Sequence, residues 1–395
     1  TLKTFPVQLF LHLLTLLLFV GNLAQAETRT VEFIFYTEKI RINFNTDILQ
    51  VVKPSIEGKS IKNHYLSLQR TTHQSLLTDL KLQREAFALN DWLYAELVRG
   101  AVDQILNGRS NAEKNLLIWF CLSESGFDTR VTFRDQRVFV CVFTKDEIYE
   151  APLIEDRGRT FVNLSAIAQI KADEEGVFLL DFAAKPNGRA FSFHLGTFPG
   201  IKPLLEKKTL NFRFKEQQFP LEVNFDRNWV RIMERHPLID EREYLKAPMS
   251  EVLRSSLLPQ LTELIKGRSS TEALELITAF TRSCFKYKED KEFFGRSKPM
   301  IPDEVLHYPY SDCEDRSALY YALVKELLGW PMLIIGFPDH LTIAVSIPDF
   351  DGDAIEYQGR KYYFCDPTGP ANSHEIGRLP EEFIGQEYEI LGQFN

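Results

Sequence analysis

At 395 residues the chain exceeds one ordinary hydrophobic core, and length alone predicts two or three domains. A composition of 44% hydrophobic, 26% charged and 12% aromatic residues excludes a low-complexity or collagen-like chain, and 31 Phe favour sheet-rich packing. A formal net charge of −9 excludes a general affinity for nucleic acid or anionic lipid.

In chain order, Lys3 precedes an apolar run from Val7 to Val20, followed by Ala24-Gln25-Ala26. This layout predicts a secretory signal peptide over residues 1–26, cleaved before Glu27, and hence an exported protein. The run is shorter than the roughly 18 apolar residues of a membrane span, and no later segment reaches that length, so no stable span is expected after cleavage. Five cysteines (Cys121, Cys141, Cys284, Cys313, Cys365) in so long an exported chain do not read as a disulfide framework. Their odd number leaves at least one thiol free.

Alternation over Val31 to Tyr36 and Ile40 to Phe44 predicts a first hairpin, within a β segment spanning 27–74. Helical spacing follows over Ser75 to Leu89 and Asn90 to Leu106, with Asn90 as N-cap, and again over Asn115 to Glu124. Strands are expected over Thr129 to Phe133 and Val138 to Phe143. From 166 to 245 three strand-like stretches, Val177 to Phe182, Ala190 to Leu195 and Leu210 to Phe214, predict a small antiparallel module. Helices return over Ser250 to Lys266 and Ser270 to Phe285.

The two halves share a spacing. With Gly126 set on Gly329, the helix Asn115 to Glu124 falls on Ala318 to Leu327, and 12 residues beyond each glycine an apolar strand begins, at Val138 and Leu341. Either the fold is duplicated or common elements coincide. In this alignment Ser110 takes the place of Cys313 and Arg137 that of His340, so residues 75–165 would form a degenerate copy.

The C-terminal block concentrates the chemistry. Asp312 caps a helix beginning at Cys313, with Asp315 in capping-box position, and Leu319, Ala322, Leu323 and Leu327 bury it. A thiol in a helix's first turn meets unpaired N–H groups and the positive dipole end, which favour thiolate and offer an oxyanion site. His340 opens a strand whose alternation sets His340, Thr342, Ala344 and Ser346 on one face and Leu341, Ile343, Val345 and Ile347 on the other. The small residues behind His340 are expected to admit the helix. Asp366 ends the strand Tyr362 to Cys365 before Pro367, placed to orient the imidazole. Cys313, His340 and Asp366 are therefore the candidate catalytic residues. No close-spaced ligand pair points to zinc, and Asp349 to Asp353 lacks the full spacing of a Ca²⁺ loop, so no metal and no cofactor are expected.

Asp312-Cys313-Glu314-Asp315, Asp339-His340 before an apolar strand, and Cys365-Asp366-Pro367-Thr368 resemble the transglutaminase-like superfamily of papain-type thiol enzymes, nearest to its bacterial transglutaminase-like proteins and cysteine peptidases. The resemblance covers roughly Met249 to Tyr388. It implies an α+β fold, with a transglutaminase-like (papain-like) domain over 246–395 whose central helix bears the nucleophile against an antiparallel sheet bearing His340 and Asp366. It also implies acyl transfer through a thioester on a protein or peptide substrate, in the periplasm or at the cell surface. Hydrolysis is the leading expectation; a cross-linking acyltransferase and a catalytically silent binding or scaffold protein are the alternatives. For the separate oxyanion side chain of some members, only Tyr310 or Ser311 offers itself.

Overall fold

A computed structural model of the chain describes residues 27–167, 176–196, 198–369 and 376–394. The expected signal peptide lies outside the described residues, none of whose helices is long and apolar enough to cross a membrane. The fold is α+β.

The N-terminal half opens with the antiparallel hairpin β1 (Thr28–Phe35) and β2 (Glu38–Asn45). Ile40, Ile42 and Phe44 are buried while Lys39 and Arg41 are exposed, the period of two that a half-buried strand requires. Helices α1 (Gly58–Leu68), α2 (Gln74–Ala86), α3 (Asp91–Ile105) and α4 (Asn111–Glu124) follow. Asn90 caps α3, its Oδ1 accepting the Leu93 N–H at 2.9 Å, a bond worth about 1 kcal/mol. The helix expected from Asn115 starts a turn earlier, because Ser110 and Glu113 form a reciprocal capping box. Helix α1 has no counterpart in the sequence reading.

Strands β3 (Thr129–Arg134), β4 (Arg137–Phe143), β5 (Ile148–Tyr149), β6 (Leu153–Asp156), β7 (Arg159–Asn163) and β8 (Phe178–Leu179) come next. All but β5 form a five-stranded sheet of order β6-β7-β4-β3-β8. Of the strands expected over 177–182 and 190–195, only β8 and isolated bridges at Arg189 and Phe191 form. Phe191, Phe193 and Leu195 are buried as the alternation implies, yet the Ser192 and Phe193 N–H groups donate to the carboxylates of Asp91 and Asp146, at 3.0 and 2.6 Å. Side chains satisfy this backbone where a neighbouring strand was expected.

The C-terminal half begins with a second hairpin, β9 (Leu205–Phe214) and β10 (Gln217–Asp226), then α5 (Arg227–Met233), β11 (Leu238–Ile239), α6 (Glu241–Lys246), α7 (Glu251–Ile265) and α8 (Ser270–Ser283). After β12 (Lys286–Tyr287), α9 (Asp290–Phe293), α10 (Pro302–His307) and β13 (Tyr310–Ser311) comes α11 (Cys313–Leu327). Strands β14 (Met332–Phe337), β15 (His340–Val345), β16 (Ala354–Tyr357), β17 (Arg360–Cys365) and β18 (Glu389–Phe394) close the chain as a sheet of order β16-β17-β15-β14-β18.

The two sheets have the same strand order. Their central hairpins begin 203 residues apart, at 129 and 332 and at 137 and 340. Register agrees as well: Cys141 faces Asn163 in the first sheet as Ala344 faces Phe364 in the second. Each half also sets a β-hairpin against two of its helices, β1–β2 on α2 and α3 and β9–β10 on α7 and α8.

Each half has its own core. Leu210, Phe212, Phe214, Leu221, Val223 and Phe225 of the second hairpin are buried with α7, α8 and α11, and so the stretch 166–245 expected as a separate β module is divided. Its hairpin joins the C-terminal core. Likewise Ile40, Ile42 and Phe44 share a core with α1 to α4, so the first hairpin is not a body apart. The connecting segment serves both cores: Trp229, Ile232 and Met233 pack into the first, Val230, Leu245 and Met249 into the second. Burial of large apolar side chains on both sides, at roughly 1.5–3 kcal/mol each, fixes the halves together.

Candidate active site

The site lies where α11 meets the start of β15. Cys313 opens the helix, as its flanking residues predict. Asp315 Oδ2 accepts the Asp312 N–H at 3.1 Å, one half of the expected capping box. Asp312 stands in capping-box position, and its buried Oδ1 has no hydrogen-bond partner among the described residues.

His340 and Asp366 meet. His340 opens β15 and Asp366 directly follows the adjacent antiparallel strand β17, and His340 Nε2 lies 3.3 Å from Asp366 Oδ1. Thr368 braces the pair: its N–H and Oγ1 donate to Asp366 Oδ1 at 3.0 and 2.6 Å, and Oγ1 lies 3.3 Å from His340 Nε2. Phe383 stacks on the imidazole with ring centroids 4.7 Å apart and planes 9° from parallel. Burial by itself would raise the Asp366 carboxyl, but the imidazole and the Thr368 donors outweigh it and hold the group at about 2. Arg282 donates to the Asp366 carbonyl, anchoring the turn from the back.

Cys313 is close by. The Leu341 backbone N–H reaches its sulfur, and Ser317 Oγ donates to the Leu341 carbonyl at 3.3 Å. Among the described residues, however, no hydrogen bond joins Cys313 to His340. The thiol donates instead to Glu314 Oε2 at 3.1 Å. The helix also packs on the opposite face from the one expected. Leu341, Ile343 and Val345 share the core of α11, whereas Ala344 shares the other face with Phe337, Tyr362 and Phe364. The larger residues win the helix contact because they bury more apolar area there.

Electrostatics correct the expectation of a ready thiolate. Burial, then the charge and hydrogen bond of Glu314, then the charge of Asp312 raise the Cys313 thiol above its ordinary range, against the Leu341 N–H. Burial, with the Glu314 and Asp312 carboxylates added, outweighs the dipole effect, which is worth only about 0.3–1 kcal/mol.

Oxygens of Asp290, Asp312 and Asp315 lie within 4.8 Å of one another, each residue buried. Loop N–H groups hold two of them: Lys298 donates to Asp290, and Met300 to Asp315 Oδ1 at 2.8 Å. Oxygen ligands at this separation suit a hard divalent cation. The sequence reading assigned no metal residue. Asp312 and Asp315 were visible beside Cys313, but Asp290 is brought in from 22 residues away by the fold.

The acids carry a pH signature. Burial and the Asp312 charge push Asp290 up to about 6, burial pushes Asp303 to about 6, and Asp315 is raised by burial and the Asp312 charge. Raised folded values mean that the native state binds more protons than the unfolded chain from about pH 4 to above 6, so stability falls as pH rises through this range. Asp366 acts oppositely, its contribution lost as pH falls toward 2. The melting temperature is expected to drop between pH 5 and pH 8, and Asp290→Asn to flatten that drop. An unchanged slope in the variant would disprove the assignment.

The chain matches no protein-family model, no curated protein and no solved structure. The site is therefore read from its own chemistry. All five cysteines are free thiols, with Cys121, Cys141 and Cys365 buried and only Cys284 and Cys313 partly accessible. Ser311, offered by the sequence as an oxyanion donor, is buried with its Oγ accepting from Arg316 Nε at 3.1 Å, and Tyr310 packs against Phe293. At the matching positions of the first half stand Ser110 at the N-cap of α4, Arg137 and Ser165, the last accepting the Val140 N–H at 3.0 Å. That half has no thiol, imidazole or carboxylate at these three positions.

Proposed function

We propose that the chain is an exported, transglutaminase-like thiol enzyme acting on amide bonds of proteins or peptides, with Cys313 as nucleophile, His340 as proton carrier and Asp366 as its orienting carboxylate. The observation that carries this reading is the pair of part-buried His340 and buried Asp366, 3.3 Å apart, beside the helix start that bears Cys313. In the first step Sγ attacks the substrate carbonyl carbon and its proton passes to His340. The tetrahedral intermediate collapses to a thioester as the C–N bond breaks, and His340 returns the proton to the leaving amine. Water, giving a proton to His340, then attacks the thioester carbon; the C–S bond breaks, the acid product leaves, and His340 returns the proton to Sγ. Helix-start N–H groups are the donors for the oxyanion. Residues 246–395 carry this centre, and the N-terminal half is a degenerate copy of the same fold.

A second reading, a binding protein on this fold, draws support from the Cys313–Glu314 hydrogen bond, which keeps the thiol protonated. Iodoacetamide at neutral pH separates the two. The enzyme reading requires selective alkylation of Cys313 over Cys284, slowed at least tenfold by His340→Ala. Equal labelling of both thiols, or no effect of the His340 change, removes it.

A further inference from the structure

Between the halves runs a cleft of about 530 Å³. Carboxylates line it from both sides: Glu147 and Glu150 from the first half, Asp240 and Glu241 from the connector, and Glu389 from the last strand. Of cations its lining has Arg242, already paired with Asp240, and Arg296 stands 4.0 Å from Glu150. Tyr149, Leu238 and Leu391 add apolar surface.

This cleft adjoins the candidate active site. Ser297 and Pro299 form one wall, and the two residues interleaved with them, Lys298 and Met300, donate their N–H groups to Asp290 and Asp315. Glu241 starts α6, which packs on α11. Behind that wall Asp312, 5% exposed, has Oδ1 without a hydrogen-bond partner among the described residues. A buried, unpartnered carboxylate oxygen costs about 1–3 kcal/mol or more unless a donor reaches it.

We propose that this cleft binds an extended cationic peptide, its Lys or Arg heads on the carboxylates and their aliphatic stems on Tyr149, Leu238 and Leu391. Long basic side chains suit such a surface because the stem buries apolar area while the head stays paired. The proposal rests on the proposed function only in naming the substrate class for Cys313. It also gives the N-terminal half a task, since that half supplies Glu147, Tyr149 and Glu150.

The test is fluorescence anisotropy of a labelled hexa-arginine peptide with the full chain at physiological salt, with labelled hexaglutamate as control. Glu150→Gln, Glu241→Gln and Glu389→Gln together are expected to weaken hexa-arginine binding at least tenfold, while Glu263→Gln, an exposed carboxylate paired with Lys266, leaves it unchanged. All three substituted residues are exposed, and cooperative thermal unfolding checks that the variant folds; the single Glu389→Gln change serves if it does not. Repeating the titration with Cys313→Ala separates the two ideas, because binding persists there whether or not the thiol is reactive. Undiminished binding by the triple variant, equal binding of hexaglutamate, or no binding of hexa-arginine would each overturn the proposal.

Discussion

Arg316→Met is expected to destabilise the protein by about 3–5 kcal/mol, the loss expected when several buried acceptors are orphaned at once. Arg316 is 3% exposed and ties three segments to α11. Its Nη1 donates to the Thr368 carbonyl at 2.7 Å, its Nη2 to the Phe285 carbonyl at 2.7 Å, and its Nε to Ser311. Met fills similar volume and donates nothing. The planar fork that reaches three acceptors has no substitute in lysine, a point donor, so Arg316→Lys should recover only part of the loss. Denaturant midpoints at constant m-value give the measurement. A shift below about 1 kcal/mol would show that the three bonds are made by water as well as by arginine.

Glu314→Gln is expected to speed alkylation of Cys313 about tenfold at neutral pH, the effect of roughly one pKa unit in the thiol. The amide keeps an acceptor for Sγ but removes the nearest charge opposing thiolate. The sign depends on Glu314 being ionised, and its own carboxyl is raised by burial. The enhancement should therefore grow as pH rises and Glu314 ionises. A rate unchanged at every pH would mean that burial alone holds the thiol neutral. The same variant discriminates the functional readings: a released, His340-dependent thiolate fits an enzyme under electrostatic restraint, and a thiol indifferent to both changes fits a binding protein.

Much of the site was legible because its parts are local. Asp312 before a buried helical repeat marks where α11 starts, Asp339-His340 before six alternating residues marks a strand start, and Asp366-Pro367 marks a strand end. The strand order shared by the two sheets was legible for the same reason, as equal spacing between glycine, helix and strand. The 177–195 stretch misled because an alternating run implies an extended, half-buried chain and not which group satisfies its N–H donors. Here Asp91 and Asp146 do so from distant positions.

The sequence by itself determined most of the element types, the candidate trio and the helix start at Cys313, since these follow from side-chain period and capping over a few residues; helix α1 and the 177–195 stretch are the exceptions. Only the tertiary structure decided that His340 pairs with Asp366, that α11 takes the Leu341 face, and that Asp290 joins Asp312 and Asp315 beside the thiol. Burial is the physical reason. The helix dipole and the Asp312 and Glu314 carboxylates beside Cys313 can all be read from one segment, but the burial that raises the thiol most exists only once the fold has closed around it.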